Sequence, residues 1–519
     1  MQQLEKNSVL IVIILALFMA LWGIGAMPLL DPDEPVFAEA ARGMLASGDF
    51  LTPRLFGNPW YDKPPLFYWL VASAQAFFGD NEFAARFPSA VMACAVALML
   101  YISGTKLFNE RAGFWSAVVL ATCVQFFCMG KAAVTDMTLL FFMSAALLSF
   151  MHGRYWLMYI CMAFAILTSG PLGIIFPLAI IFIYLLLMGR LGELFSLHLI
   201  RGLLLCCLLA APWYYAMYTM HGREFVDAFF SFQNLIGSTA IERAHESRLW
   251  YYLPVVLLGL FPWTGLLFQS LKASISESRI DDMRKLLFLH VWWAFVLVFF
   301  TVYQTRVFSY ILPMFPPLAL TIGWNISRML VKLRHNTTFT GWLWGSGLLF
   351  LLVSLGWLYA GEYFGEVRLS LILLGAFSMV LGCVSLYALK TYRDIELAAG
   401  LHALLGAVTM FAVFTFILPA VADRFSVRSI SAEYSAVSSP AVPVYVDKPL
   451  RPGFTYYAKT QGVELFPRAG ALEGVLRRQE HKYILVRGYE YRQIRNAGEL
   501  LANVETLKEI GDIYLLEQK

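Results

Sequence analysis

The stretch SVLIVIILALFMALWGIGAM at residues 8–27 runs straight into PLLDPDEP at residues 28–35, so a long uncharged run is followed at once by Asp31, Asp33 and Glu34. A helix needs about 20 predominantly apolar residues to cross a bilayer core of ~30 Å. The run from Val9 to Met27 meets that length and is too long for the core of a signal peptide, so it is read as a retained first span. The carboxylates directly beyond it mark the working face. A second polar knot, Tyr61-Asp62-Lys63-Pro64-Pro65, follows before the chain turns apolar again.

The same pattern continues through most of the 519 residues. The chain is 59% hydrophobic, 16% aromatic and only 14% charged, where soluble proteins carry about a quarter charged residues. Its mean hydropathy is +0.65. These values exclude an ordinary soluble enzyme and predict a polytopic α-helical membrane protein. About thirteen spans are expected, near 8–27, 84–105, 112–130, 136–152, 155–168, 171–188, 199–219, 249–270, 285–303, 308–326, 340–360, 367–388 and 397–421.

A net charge of +4, dispersed along the chain, gives no basic block with interleaved aromatics, so nucleic acid is set aside as a partner. All seven cysteines fall in apolar segments without a CxxC pair, which points to packing and away from redox or metal chemistry.

Lys and Arg gather in alternate loops, at Lys6, Lys106, Arg190, Lys272, Arg328 and Lys390 among others, which places the N-terminus in the cytoplasm. An odd number of spans then puts the C-terminal tail outside, with the loop at 28–81, the loop from His221 to Arg248, and the turns near Lys131, Ser169 and Arg306. Asp33, Asp62, Lys63, Asp136 and Arg306 are thereby expected on one face. In the first outer loop, Pro35 to Ser47 and Lys63 to Phe78 have the spacing of short interfacial helices, with Phe67, Tyr68 and Trp69 read as a membrane-interface belt.

Residues 1–425 are expected to form the transmembrane domain and 426–519 a small soluble α/β domain. In that tail Val442–Val446, Tyr483–Val486 and Ile513–Leu516 read as strands, and Gly474–Glu480 and Gln493–Leu501 as helices. It carries no GxGxxG, P-loop or paired His or Cys.

Asp33-Glu34 with Ala38-Glu39-Ala40-Ala41-Arg42, then Tyr61-Asp62-Lys63-Pro64-Pro65-Leu66-Phe67-Tyr68-Trp69, resembles the first outer loop of the polyprenyl-phosphate-dependent glycosyltransferases of the GT-C type. Thr135-Asp136-Met137, Leu167-Thr168-Ser169-Gly170-Pro171 and Tyr310-Ile-Leu-Pro313 follow in the family's order. The pattern is similar to the lipid A aminoarabinose transferases and, more widely, to protein O-mannosyltransferases. Two positions depart from it, with Asp62 where relatives often have Glu and Ser169 where the nearest relatives have Lys.

The resemblance implies transfer of a sugar, with inversion, from a polyprenyl-phosphate-linked donor to lipid A or another envelope acceptor. It places this on the periplasmic side of a bacterial inner membrane. Transfer to a polypeptide, or a flippase for a lipid-linked sugar, are the alternatives. Such chemistry needs a base near the acceptor, cations on the departing phosphate and a groove open to lipid.

Asp33 matches the family's catalytic acidic position. Glu34 would orient it or bind acceptor, and Asp136 would complete the acidic pocket. Lys63 and Arg306 are the candidates for gripping the donor phosphate, with Tyr61, Asp62 and Tyr310 lining the substrate pocket. Asp31 is the expected N-cap of the helix that follows. No cofactor is required; a divalent metal is left open, with Asp62, His245 and Glu246 as its ligands. The sugar, the acceptor and the oligomeric state are left open as well.

Overall fold

The computed structural model of the chain describes residues 2–233, 250–276, 280–303, 306–332, 340–439, 442–465, 471–478, 480–494, 501 and 503–519. These group into two compact units, each built from separated stretches: Met1–Trp22, Tyr61–Phe67 and Pro88–Phe414 in the first, Gly23–Trp60, Tyr68–Phe87 and Thr415–Lys519 in the second. Most of the first outer loop groups with the tail, while its Tyr61–Phe67 stretch groups with the helical unit.

The first unit is helical throughout. Among the described residues six helices are long and apolar enough to cross a membrane, or up to eight if each of two bent pairs is one span. This makes the chain a multi-pass membrane protein, but the thirteen expected spans are not reproduced. Helices α7 (Asp136–Met151), α8 (Tyr155–Ser169) and α9 (Leu172–Leu187) have 16, 15 and 16 residues. At ~1.5 Å per residue such lengths fall short of the bilayer core. Helices α5 (Glu110–Ala121) and α6 (Val124–Gly130) bend by 67° at their junction, and Tyr252–Gly259 and Thr264–Ser276 by 101°. Hydropathy registers the apolar length of such segments and is blind to the break.

Contacts that replace solvation hold these helices together. Helix α1 (Gln2–Leu21) ends against Lys131, whose Nζ donates to the carbonyls of Ala20 (3.3 Å) and Trp22 and lies over the rings of Phe127 and Phe414 at 4.8 and 5.3 Å. A cation there meets carbonyls that have no helical donor. Helix α4 (Glu82–Leu107) crosses α5 where Gly104 meets Gly113, and a Cβ on Gly104 would stand 2.8 Å from the Gly113 Cα. Close backbone approach of this kind replaces the hydrophobic drive that lipid removes. Of the cysteines, Cys123, Cys161 and Cys206 are buried as expected, whereas Cys207 and Cys383 lie exposed on helix surfaces.

In the second unit, helix α2 (Asp33–Ser47) and the part of α3 (Leu66–Phe78) from Tyr68 onward confirm the two helices expected in the first outer loop. Helix α2 ends at Gly48, whose φ of 71° lets its N–H reach the Met44 carbonyl at 2.9 Å. A short hairpin, β1 (Arg54–Leu55) with β2 (Asn58–Pro59), follows it.

The tail forms a five-stranded sheet in the order β4-β3-β5-β7-β6, from β3 (Val444–Asp447), β4 (Val463–Leu465), β5 (Lys482–Arg487), β6 (Val504–Ile510) and β7 (Ile513–Gln518). β3 runs parallel to β4 and β5, while β7 is antiparallel to β5 and β6. Along β5, Tyr483 and Leu485 join one core with Phe454 and Ile430, while Ile484 and Val486 join the opposite core with Leu472 and Leu516. A strand buried on both faces reads as the continuous apolar run seen here.

Three expected strands are present and two were missed: β4 is only three residues long, and β6 is largely exposed, with four charged or polar residues among seven. The helix expected at Gly474–Glu480 overlaps Ala471–Leu476, and most of the one expected at Gln493–Leu501 lies outside the described residues, with a helix at Gly488–Ile494 just before it. Two helices not foreseen, Arg428–Val437 and Arg451–Ala458, cover one face of the sheet.

Candidate active site

The two carboxylates after the first span have opposite surroundings. Glu34 is buried, and its Oε1 and Oε2 accept from Arg86 Nε (2.8 Å) and Nη2 (2.6 Å). Its Oε2 also receives the Leu30 N–H at 2.8 Å. Arg86 is only 1% exposed, and its remaining donors go to the carbonyls of Ile24, Met27 and Pro28 at 2.7–2.9 Å.

All five guanidinium N–H groups are thus used, the condition under which burying such a charge is tolerable. Arg86 ties the turn at residues 24–34 to the start of α4. The role expected of Glu34, orienting Asp33 or binding acceptor, meets a physical obstacle: its carboxylate is already the counter-ion of a buried arginine. Asp33, one residue earlier, is exposed in the first turn of α2.

Asp31 is not the cap of α2. Pro32 holds that position, without a side-chain capping bond. The Asp31 Oδ2 instead accepts the Val427 N–H at 2.9 Å. Burial, with the charges of Glu34 and Asp33 adding to it, holds the Asp31 carboxyl well above the usual carboxylate range.

Because the folded pKa is raised, the contribution of Asp31 is fully present below its unfolded pKa of about 4 and is lost as pH climbs toward the raised value. Asp31→Asn, which keeps an acceptor for Val427 without the charge, should flatten the pH dependence of Tm and raise Tm at pH 8. Thermal unfolding at pH 5 and pH 8 checks this; an equal drop in Tm at both would contradict it.

The other expected site residues belong to the first unit, except for His245 and Glu246, which lie outside the described residues. Tyr61 is buried with its ring edge-on to His221 (5.5 Å) and Phe225 (5.7 Å), so the knot Tyr61-Asp62-Lys63 is docked on the helix Leu199–Gln233. That helix corrects the loop expected from His221 onward: it continues to Gln233 and breaks only at Gly222, where φ is 59° and ψ is −136°. Asp62 and Lys63 are half-buried.

Asp136 is half-buried in the first turn of α7, behind Thr135. Arg306 is half-buried and donates from Nη2 to the Thr301 carbonyl (2.8 Å) at the end of the helix Ile280–Val302. Tyr310 stands 5.2 Å from Phe300, on the 3-10 turn Phe308–Met314 that packs against α7. The turn that carries Tyr310 thus packs on the helix that Asp136 opens, while Arg306 is held at the end of Ile280–Val302. Asp33 and Glu34 fall in the other unit. No group of three His, Cys, Asp or Glu able to hold a metal ion occurs among the described residues.

Arg86 was missed by sequence reasoning. The signal was present, since an arginine two residues inside an expected span needs a partner there.

Residues 62–216 match the dolichyl-phosphate-mannose-protein mannosyltransferase family. Over 351 residues the chain is 30% identical to the undecaprenyl phosphate-alpha-4-amino-4-deoxy-L-arabinose arabinosyl transferase of Aeromonas hydrophila, a match that takes in 65% of this chain and 63% of that protein. ArnT from Cupriavidus metallidurans superposes with a TM-score of 0.81 in the apo state, at 18% identity, covering 99% of this chain and 98% of ArnT. Its complex with undecaprenyl phosphate gives a TM-score of 0.80 at 18% identity, covering 98% and 97%.

The chain has the ArnT fold. The likeness to the GT-C type carried by the first-loop motifs therefore recurs in a family profile, in related sequences and in architecture. The ArnT fold extends over nearly the whole chain, tail included, while the aligned sequence spans less than two thirds of the aminoarabinose transferase's length.

Proposed function

We propose that this protein is an inner-membrane glycosyltransferase that moves a sugar from a polyprenyl-phosphate donor to a lipid A-type acceptor at the periplasmic face, with inversion. The observation that carries the reading is the split fate of the Asp33-Glu34 pair in a chain of the ArnT fold. Glu34 is consumed by Arg86, and Asp33 is held exposed beside it. The sequence likeness to an arabinosyl transferase supports the donor class.

In this reading the acceptor oxygen attacks the anomeric carbon, and the bond from that carbon to the phosphate oxygen breaks. Asp33 takes or orients the acceptor proton. Lys63 and Arg306 hold the phosphate as negative charge accumulates on it. Hydrogen bonds to charged groups contribute about 1.5–3 kcal/mol, so Lys63→Met should weaken polyprenyl-phosphate binding by about 10- to 100-fold. Titration of the lipid phosphate into the purified variant measures this, and unchanged affinity would remove Lys63 from the phosphate site. A divalent ion at Asp62 stays part of the proposal, tested by activity after chelation and re-addition of metal.

The family profile's description favours a second acceptor class, a polypeptide hydroxyl. Incubating the protein with undecaprenyl-phosphate sugars and either lipid A or Ser/Thr peptides, with products weighed by mass spectrometry, separates the two. Product on lipid A alone supports the reading; product on peptide alone replaces the acceptor.

A further inference from the structure

We infer that the C-terminal tail serves catalysis as a clamp on the loop that carries Asp33, with Arg42 and Tyr457 as positioning residues. The inference rests on the glycosyltransferase reading of Asp33. On the N-terminal side of Asp33, the Asp31 N–H donates to the Phe425 carbonyl (3.0 Å) and the Asp31 carboxylate receives the Val427 N–H. Val427 is the N-cap residue of the helix Arg428–Val437. Amide groups at a helix start have no intrahelical acceptor, so the loop supplies one.

On the C-terminal side of Asp33, Arg42 in α2 donates from Nη1 to the Tyr456 carbonyl (3.0 Å) and from Nη2 to the Thr455 carbonyl (3.3 Å). These belong to the last turn of Arg451–Ala458, where a cation is favourable; the Thr455 carbonyl also accepts the Lys459 N–H (3.1 Å). Two residues before Asp31, the Leu29 N–H donates to the Tyr457 hydroxyl (2.7 Å), which in turn donates to Glu82 (3.1 Å), paired with Arg428 at 3.1 Å.

The tail helices Arg428–Val437 and Arg451–Ala458 each receive a side chain of the loop segment at one end, and that segment is held at Leu29, Asp31 and Arg42, on both sides of Asp33. Gly453 adds a fit: a Cβ there would run into Asp31 Oδ1. Displacing a reacting group by about 1 Å can cost on the order of 10²-fold in rate, so the clamp acts on turnover and leaves lipid binding alone.

The test uses the full-length protein in nanodiscs. For Arg42→Met, Arg42→Lys and Tyr457→Phe, kcat, KM, affinity for undecaprenyl phosphate and hydrogen exchange of the 29–47 peptides are compared with wild type; Arg477→Met, an exposed tail residue, is the control. Arg42→Met should speed exchange in 29–47 and lower kcat about tenfold or more, with lipid affinity within about twofold. Arg42→Lys should recover part of the loss, because an ammonium still meets the helix carbonyls.

Tyr457→Phe removes a single hydroxyl and keeps the test open if Arg42→Met does not fold. Unchanged exchange, wild-type kcat, or a fall in kcat matched by lost lipid affinity would overturn the clamp. If wild-type protein transfers no sugar from any donor, the glycosyltransferase reading fails. The exchange measurement then decides the clamp by itself, with acceleration in 29–47 sustaining it and no change overturning it.

Discussion

Asp33→Asn should lower turnover by about 10²- to 10⁴-fold, the usual contribution of a positioned general base, while the protein stays folded and binds polyprenyl phosphate as tightly as before. The expectation follows from position. Asp33 is exposed in the first turn of α2, and Asn there keeps the size of the side chain and an accepting oxygen while removing the charge. Thermal unfolding, lipid titration and initial rates on the same preparation separate the two effects. Glu34→Gln should behave differently, losing stability and activity together, because its carboxylate is the partner of Arg86.

Arg86→Met should destabilise the protein by about 3–5 kcal/mol, the cost of leaving a buried carboxylate without its counter-ion. Glu34 is buried and takes two charge-assisted bonds from Arg86, and the carbonyls of Ile24, Met27 and Pro28 lose their donor as well. Adding Glu34→Leu to Arg86→Met removes the stranded charge and should return roughly 2 kcal/mol, leaving the three carbonyls as the residual cost. Thermal unfolding of the four proteins as a double-mutant cycle measures the coupling. Additive losses would mean that the two side chains do not act as a pair.

What could be read from the chain in advance followed from local pattern. Helical spacing after Pro35 and the apolar run of Lys63–Phe78 were enough to foresee α2 and α3, because an amphipathic period is written in neighbouring residues. Tyr483–Val486 gave itself away as a strand by being apolar at every position.

The expected span count is not reproduced where helices are short or bent, since hydropathy averages over a break such as that between Ala121 and Val124. The bonds of Asp31, Glu34 and Arg86 were not legible for a different reason. Their partners lie up to 396 residues away along the chain, and no local period encodes a bond from Asp31 to Val427. For the same reason nothing in the loop at 28–81 signalled that most of it groups with the tail.

The measurement that bears most directly on the account is donor stoichiometry. Purified protein in nanodiscs, given a synthetic undecaprenyl-phosphate aminosugar and lipid A, should release one undecaprenyl phosphate for each sugar added to lipid A, both followed by mass spectrometry, with Asp33→Asn slowing both about 10²- to 10⁴-fold. Sugar transfer without release of lipid phosphate, or movement of the intact donor between leaflets with no product at all, would contradict it.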